Sequence, residues 1–212
     1  MKNKNAVIIL DGNFPKENLL KNILKNKPFV ICADGSANKL IKTKIKPDII
    51  IGDMDSIEPA VMVKYIKKGV PVMKIFDQET TDFEKCLLYC RENNFTDISI
   101  LGALGDRTDH SLNVFSVLLR HYRYVNITLY DNYFKIFFIT KPVTLHCKAG
   151  EVISLLPFPI AKNITTEGVL YPLKNENLSL GKREGTLNFA VKKTVKIKFG
   201  SGDLILFVKH FL

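Results

Sequence analysis

No apolar stretch in this sequence approaches the roughly 20 residues that span a bilayer, and the run from Val152 to Ile160 is interrupted by Pro157 and Pro159. The basic start, Met1-Lys2-Asn3-Lys4-Asn5, leads into Ala6–Leu10, but Asp11 ends that run well short of a signal-peptide core. The segment predicts a first strand, and the chain a cytoplasmic protein that does not contact membrane. Cysteine is sparse: Cys32, Cys86, Cys90 and Cys147 make no CxxC pair and have no His-rich partner segment, which predicts reduced, buried thiols. Cys86 and Cys90 stand one helical turn apart, within reach of a metal shared with His110 or His121, but zinc sites use other spacings. The usual phosphate cradles are missing too. Gly181-Lys182 resembles the end of a Walker motif, yet Glu176 replaces its first Gly and Arg183 its Ser or Thr. No GxGxxG follows a predicted strand, so nucleotide phosphates would have to be held by metal-bound carboxylates, amides of Gly loops and Arg107. Internal repeats and low-complexity linkers are likewise absent.

What is present is an ordinary globular composition, 212 residues with 46% hydrophobic and 25% charged, enough for one domain and a smaller partner. A net charge of +10 admits polyanionic partners. The lysines are scattered, however, and no aromatic platform of the kind single-strand binders use is interleaved with them. Nucleic acid is therefore not expected as a partner, and a basic nucleic-acid-binding module is the lesser alternative.

Strands are predicted at Ala6–Leu10, Phe29–Ala33, Asp48–Ile51, Val70–Ile75, Ile98–Leu101 and Ile127–Tyr130, with helical patterns between them. Thr81-Asp82-Phe83-Glu84 has capping-box spacing and opens a helix carrying Leu87, Leu88 and Cys90. A second helix from about Asp109 places Leu112, Phe115, Leu118, Leu119 and Tyr122 at helical spacing, predicting one buried face. After about Lys141 the texture changes. Thr194–Phe199 alternates as a half-exposed strand, and Gly200-Ser201-Gly202-Asp203 before Leu204–Val208 predicts a terminal hairpin. The expected fold is α/β: a Rossmann-like, mostly parallel sheet with helices over residues 1–140, followed by a smaller antiparallel β-sandwich domain over 141–212.

Four carboxylate-bearing segments follow predicted strands: Ala33-Asp34-Gly35-Ser36, Gly52-Asp53-Met54-Asp55-Ser56, Asp77-Gln78-Glu79-Thr80-Thr81-Asp82, and Gly102 to His110. Loops beyond the carboxyl ends of strands line the ligand crevice of an open α/β sheet, so these acids should converge. Asp53 and Asp55, two apart in an extended segment, would share a side, and hard oxygen ligands so close suit Mg2+. Each segment alone is also ordinary turn or cap chemistry; four at successive strand ends are more than turns require. Arg107 stands between Asp106 and Asp109, where it can pair with them or grip a phosphate.

In this order the segments resemble the thiamine pyrophosphokinase (thiamine diphosphokinase) family: an Asp-Gly loop, Pro47-Asp48 running through an apolar strand into Gly52-Asp53-Met54-Asp55-Ser56, then Asp77–Asp82, then Gly102–His110. Gly150–Pro157 and Thr165–Leu173 are similar to that family's thiamine-binding domain. The resemblance implies transfer of a pyrophosphoryl group from ATP, the co-substrate, to the hydroxyethyl oxygen of thiamine, with Mg2+, giving thiamine diphosphate and AMP. It also implies a homodimer with thiamine sites shared between subunits. By residue, it implies Asp53, Asp55 and Asp82 at the metal, Asp82 also being catalytic, with Asp34 as a further ligand or ribose-phosphate contact. Asp109 would orient or deprotonate the alcohol, and Arg107 would act on the phosphates. Gly35, Ser56, Gln78, Thr81 and His110 would line the nucleotide, and Tyr171 and Asn188 the thiamine.

Two positions depart from the family pattern. Asp106 replaces a Gly before Arg107, which either weakens phosphate binding or points outward. Gly185-Thr186-Leu187-Asn188 keeps the Asn of the family's Ser-Asn pair and replaces the Ser by Leu187. The same carboxylates with Arg107 would also serve a Mg-dependent nucleoside triphosphate pyrophosphohydrolase or nucleotidyl transferase.

Overall fold

Six short, β-branched segments make the first sheet: β1 (Asn5–Ile9), β2 (Phe29–Ala33), β3 (Ile49–Gly52), β4 (Val72–Lys74), β5 (Asp97–Leu101) and β6 (Asn126–Tyr130). All five pairings are parallel, in the order β4-β3-β2-β1-β5-β6. β1, β2 and β3 are almost entirely buried, as strands covered on both faces must be. The crossovers carry α1 (Glu17–Leu24), α2 (Ser36–Leu40), α3 (Pro59–Lys67), α4 (Asp82–Glu92) and α5 (Thr108–His121). Because every strand runs the same way, the loops after β1, β2, β3 and β5 leave from one edge. The chain steps outward from β1 to β4 and then returns to β5 on the other side of β1, so the order reverses beside β1, where such sheets bind ligands. The computed structural model describes residues 4–105 and 107–210, and the chain divides into two units between Asn132 and Tyr133.

Both helices singled out from the sequence form, with revisions. At α4, the Thr81 hydroxyl accepts from the Glu84 amide at 3.3 Å, which is one half of the expected capping box. The other half is absent because the Glu84 carboxylate turns inward to Arg120 and His121 on α5. The buried face of α5 keeps Leu118 and Tyr122 of the expected residues and adds Val114, Val117 and His121, while Phe115 and Leu119 are half-buried and Leu112 is 67% exposed. His121 belongs inside because Glu84 Oε1 lies 2.9 Å from its Nε2, which a purely apolar count of the helix does not register. All four cysteines are free and buried.

The second unit is antiparallel throughout. It consists of β7 (Phe134–Ile139), β8 (Val143–His146), β9 (Val152–Glu167), β10 (Glu176–Ser179), β11 (Gly185–Phe189), β12 (Thr194–Lys198) and β13 (Ser201–Lys209). Its core gathers Ile153, Leu155, Ile164, Leu178, Val195, Ile197, Leu204 and Leu206 among others. The expected terminal hairpin does not form. β12 and β13 pair not with each other but with β9, Lys198 opposite Thr165 and Ser201 opposite Lys162, so the register continues unchanged across Gly200. The chain therefore runs straight on along β9. Gly202, at φ +92, lets it do so: a Cβ there would lie 2.1 Å from the Ile160 carbonyl oxygen. The register then shifts between Gly202 and Leu204, opposite the stretch of β9 that holds Pro157 and Pro159. A bulge is where a strand tolerates residues that cannot donate to the ladder.

Candidate active site

The carboxyl edge of the parallel sheet opens into a cavity of about 650 Å³ formed by the first unit. Asp53 and Asp82 line it, and the buried Asp34 joins them, the three bringing one carboxylate oxygen each within 4.8 Å of one another. They arrive from three elements: Asp34 follows β2, Asp53 follows β3 and Asp82 opens α4. Gly52 makes the convergence possible, since a Cβ there would stand 2.6 Å from Asp34 Cβ and 3.1 Å from Asp82 Oδ1.

Asp34 is held rigidly, its Oδ1 accepting from the Ile57 amide at 2.9 Å and its Oδ2 from the Ser56 amide at 3.2 Å. Burial pushes its carboxyl up to about 6, and the nearby Asp82 and Asp53 charges add to the rise, against the pull of those two amides. Burial acts to raise Asp53 as well, but the Asp55 amide and the Lys85 charge outweigh it and hold Asp53 below the usual aspartate range. Asp55 differs from the expectation. Met54 has φ +65, so residues 53–55 form a turn rather than an extended segment, and the alternation argument does not apply. Asp55 lines the cavity and interacts with Asp53, but it lies outside the group of three, its Oδ1 taking the Ser56 hydroxyl at 2.7 Å.

Three compact carboxylates, with oxygen-only donors and a glycine clearing the space, fit a hard divalent cation such as Mg2+. Around them, Gly35, Ser56, Gln78, Thr81, Arg107 and His110 all line the cavity. The 77–81 loop is tied to itself: Asp77 accepts from the Glu79 amide at 2.9 Å and from the Thr80 hydroxyl at 2.5 Å. Arg107 is engaged by Asp109 through two contacts, Nε to Oδ1 at 3.2 Å and Nη2 to Oδ2 at 2.5 Å. That pairing lowers the Asp109 carboxyl to about 2 and makes it a poor base while it lasts. Asp109 is not among the residues lining the cavity. Asp106 lies outside the described residues.

The sequence reading overlooked several cavity residues. Asp11 and Gly12 follow β1 as the other acids follow their strands, a signal as good as those used. Their loop is bonded to the one after β5, with the Gly12 amide on the Gly102 carbonyl and the Asn13 amide on the Leu104 carbonyl, both at 2.7 Å. The Lys39 ammonium caps it, 2.6 Å from the Asp11 carbonyl oxygen and 3.1 Å from the Asp11 carboxylate. Lys85, buried beside Asp82, was also missed.

In the second unit, Tyr171 is 65% exposed and hence not a core residue. Asn188 is buried, and both ends of its carboxamide are engaged with backbone. Oδ1 accepts from the amides of Tyr171 and Phe189, and Nδ2 donates to the Tyr171 carbonyl at 2.7 Å. Here Asn188 fixes the loop that presents Tyr171. Leu187 stands beside it, exposed and at φ +57.

A parallel α/β unit with an acidic cluster at its carboxyl edge, followed by an antiparallel β unit, is the architecture of a protein able to hold a divalent cation with a phosphate ligand at the sheet's switch point. Residues 20–130 match the family model described as thiamin pyrophosphokinase, catalytic domain, and residues 142–204 the one described as thiamin pyrophosphokinase, vitamin B1 binding domain. Among curated proteins, thiamine pyrophosphokinase 1 of Oryza sativa subsp. japonica is 31% identical over 94% of this chain and 85% of its own. Thiamine pyrophosphokinase 1 of Arabidopsis thaliana is 30% identical over 94% and 84%. The same fold is seen in the crystal structure of thiamine pyrophosphokinase from Bacillus subtilis, with a TM-score of 0.87 at 24% identity, covering 99% of this chain and 100% of that one. The yeast enzyme gives 0.85 at 23% identity, covering 99% and 86%. This chain belongs to the thiamine pyrophosphokinase family, and it is an enzyme of that kind.

Proposed function

We propose that this enzyme transfers the terminal pyrophosphoryl group of ATP to the hydroxyethyl oxygen of thiamine. The hydroxyl oxygen forms a bond to the β-phosphorus, the bond from that phosphorus to the α-phosphate oxygen breaks, and AMP leaves; the hydroxyl proton goes to a base. The observation that carries this reading is the meeting of Asp34, Asp53 and Asp82, the last two lining a cavity whose wall also holds Arg107.

Asp34, Asp53 and Asp82 would hold Mg2+, with Asp55 in reach of Asp53. When bound, the ion neutralises triphosphate charge and stabilises charge developing on the transferred group. The protein's own share is positioning and electrostatics. The amides of Ser56 and Ile57 fix Asp34, and Arg107 supplies a planar cation suited to a phosphate. Transfer of the Arg107 guanidinium from Asp109 to a phosphate would leave the Asp109 carboxylate free to orient the alcohol or take its proton. Tyr171, presented by Asn188, would pack on thiamine.

We further read the enzyme as a cytoplasmic homodimer. Exposed Tyr171, Leu170, Leu187 and Val191 on the second unit support a partner surface, and the four unpaired cysteines support a reducing compartment. No helix among the described residues is long and apolar enough to cross a membrane. The deciding assay supplies ATP and Mg2+ with and without thiamine and follows AMP. Thiamine-dependent AMP, with thiamine diphosphate as co-product, is expected. AMP release indifferent to thiamine would instead indicate a pyrophosphohydrolase.

A further inference from the structure

The acids of the cavity have a buried cation beside them. The Lys85 side chain is 3% exposed, and its ammonium lies 3.1 Å from Asp82 Oδ1, its hydrogen-bond partner among the described residues. The helix sets up this contact, because positions three apart on α4 share a face. Glu84, the adjacent acid, is occupied by Arg120 and His121, so the charge of Lys85 acts on Asp82 and Asp53 and, from farther off, on Asp77. A buried ammonium is costly unless it is paired, and here it faces carboxylates that would otherwise repel one another across less than 4.8 Å.

We propose that Lys85 is a positioning residue that stands in for part of a metal's charge: it fixes the Asp82 carboxylate and leaves the three-acid cluster with a net charge that one divalent cation balances. This rests on reading Asp34, Asp53 and Asp82 as the metal-binding group. Two consequences are readable without turnover. Removing the ammonium should make the cluster a stronger and less selective cation site, and it should leave the metal-free fold strained by like charges.

The experiment is a calorimetric titration of the full chain with MgCl2, without nucleotide, paired with thermal melts in EDTA and in Mg2+. Lys85→Met should bind the first ion at least about tenfold more tightly than wild type, as expected for an unscreened unit charge at this range, and should take up a second. Its melting temperature should fall below wild type in EDTA, with the gap closing in Mg2+. Lys85→Arg should restore the wild-type affinity, and Lys85→Gln supplies the same comparison if the Met variant does not fold. If wild type binds Mg2+ and the neutral variants bind it with the same affinity and stoichiometry, the role assigned to Lys85 is wrong and the metal reading stands. If wild type itself shows neither heat nor a melting shift with Mg2+, both are wrong.

Discussion

Asp53 in the first unit and Asn188 in the second are both polar residues that family resemblance assigns to a ligand, and their surroundings differ in kind. The carboxylate of Asp53 sits against two other acids and takes one backbone amide, leaving excess negative charge that nothing in the fold requires. The carboxamide of Asn188 makes three backbone hydrogen bonds and has become part of the loop's own framework. Polar groups that the fold does not use mark where chemistry is done. Polar groups that it does use mark how the surface doing the recognition is shaped. Substitutions at the two should therefore separate activity from stability.

The largest effect is expected from Asp53→Asn, which should lower kcat/KM by at least about a hundredfold while the melting temperature stays close to wild type; near-normal turnover would remove Asp53 from the metal site. Next, Asn188→Ala should destabilise the protein by about 2 kcal/mol through orphaned loop amides and raise the KM for thiamine more than it lowers kcat. Denaturant unfolding with steady-state kinetics tests this, and an unchanged stability would mean that the loop does not depend on its side chain. A smaller, pH-dependent effect belongs to Asp34. Its folded value of about 6 lies above the ordinary 3.8, so between the two the folded state holds the proton more firmly than the unfolded one. Stability from this group is accordingly lost as pH rises from about 4 to about 6 in metal-free protein. Asp34→Asn should flatten that limb of a melting-temperature profile by a few degrees, and a slope unchanged in the variant would assign it elsewhere. Smallest is Leu187→Ser, which should lower the KM for thiamine by about two- to tenfold if a hydroxyl hydrogen bond is regained; a higher KM would show that the site is built around the Leu.

The two units also differed in how far they could be read in advance. β1 was expected at Ala6–Leu10 and lies at Asn5–Ile9, because a fully buried parallel strand is a continuous β-branched run that needs no knowledge of its neighbours. The second unit is organised by which strands meet, and alternation in Thr194–Lys198 does not encode a partner. A Gly-Ser-Gly-Asp segment has the chemistry of a turn, yet it serves as a continuation because β9 is long enough to pair on both sides of it. At the cavity the same limit holds. The order of acids after strands was visible, whereas the replacement of an extended Asp53–Asp55 segment by a turn at Met54, the pairing of Arg107 with Asp109 and the burial of Lys85 arise only from tertiary placement.

One strand of the second unit has a consequence for how that unit opens. β9 pairs with β12 and, past Gly200, with β13, while β10 and β11 pair with it along its other edge. Exposing its amides to solvent exchange means parting several ladders together, so β9 should be among the slowest segments of the unit to take up deuterium. β8, whose ladder is with β12, can come away singly and should exchange early. The loop carrying Tyr171 joins β9 to β10, and so it is tethered to the part of the sheet that opens last.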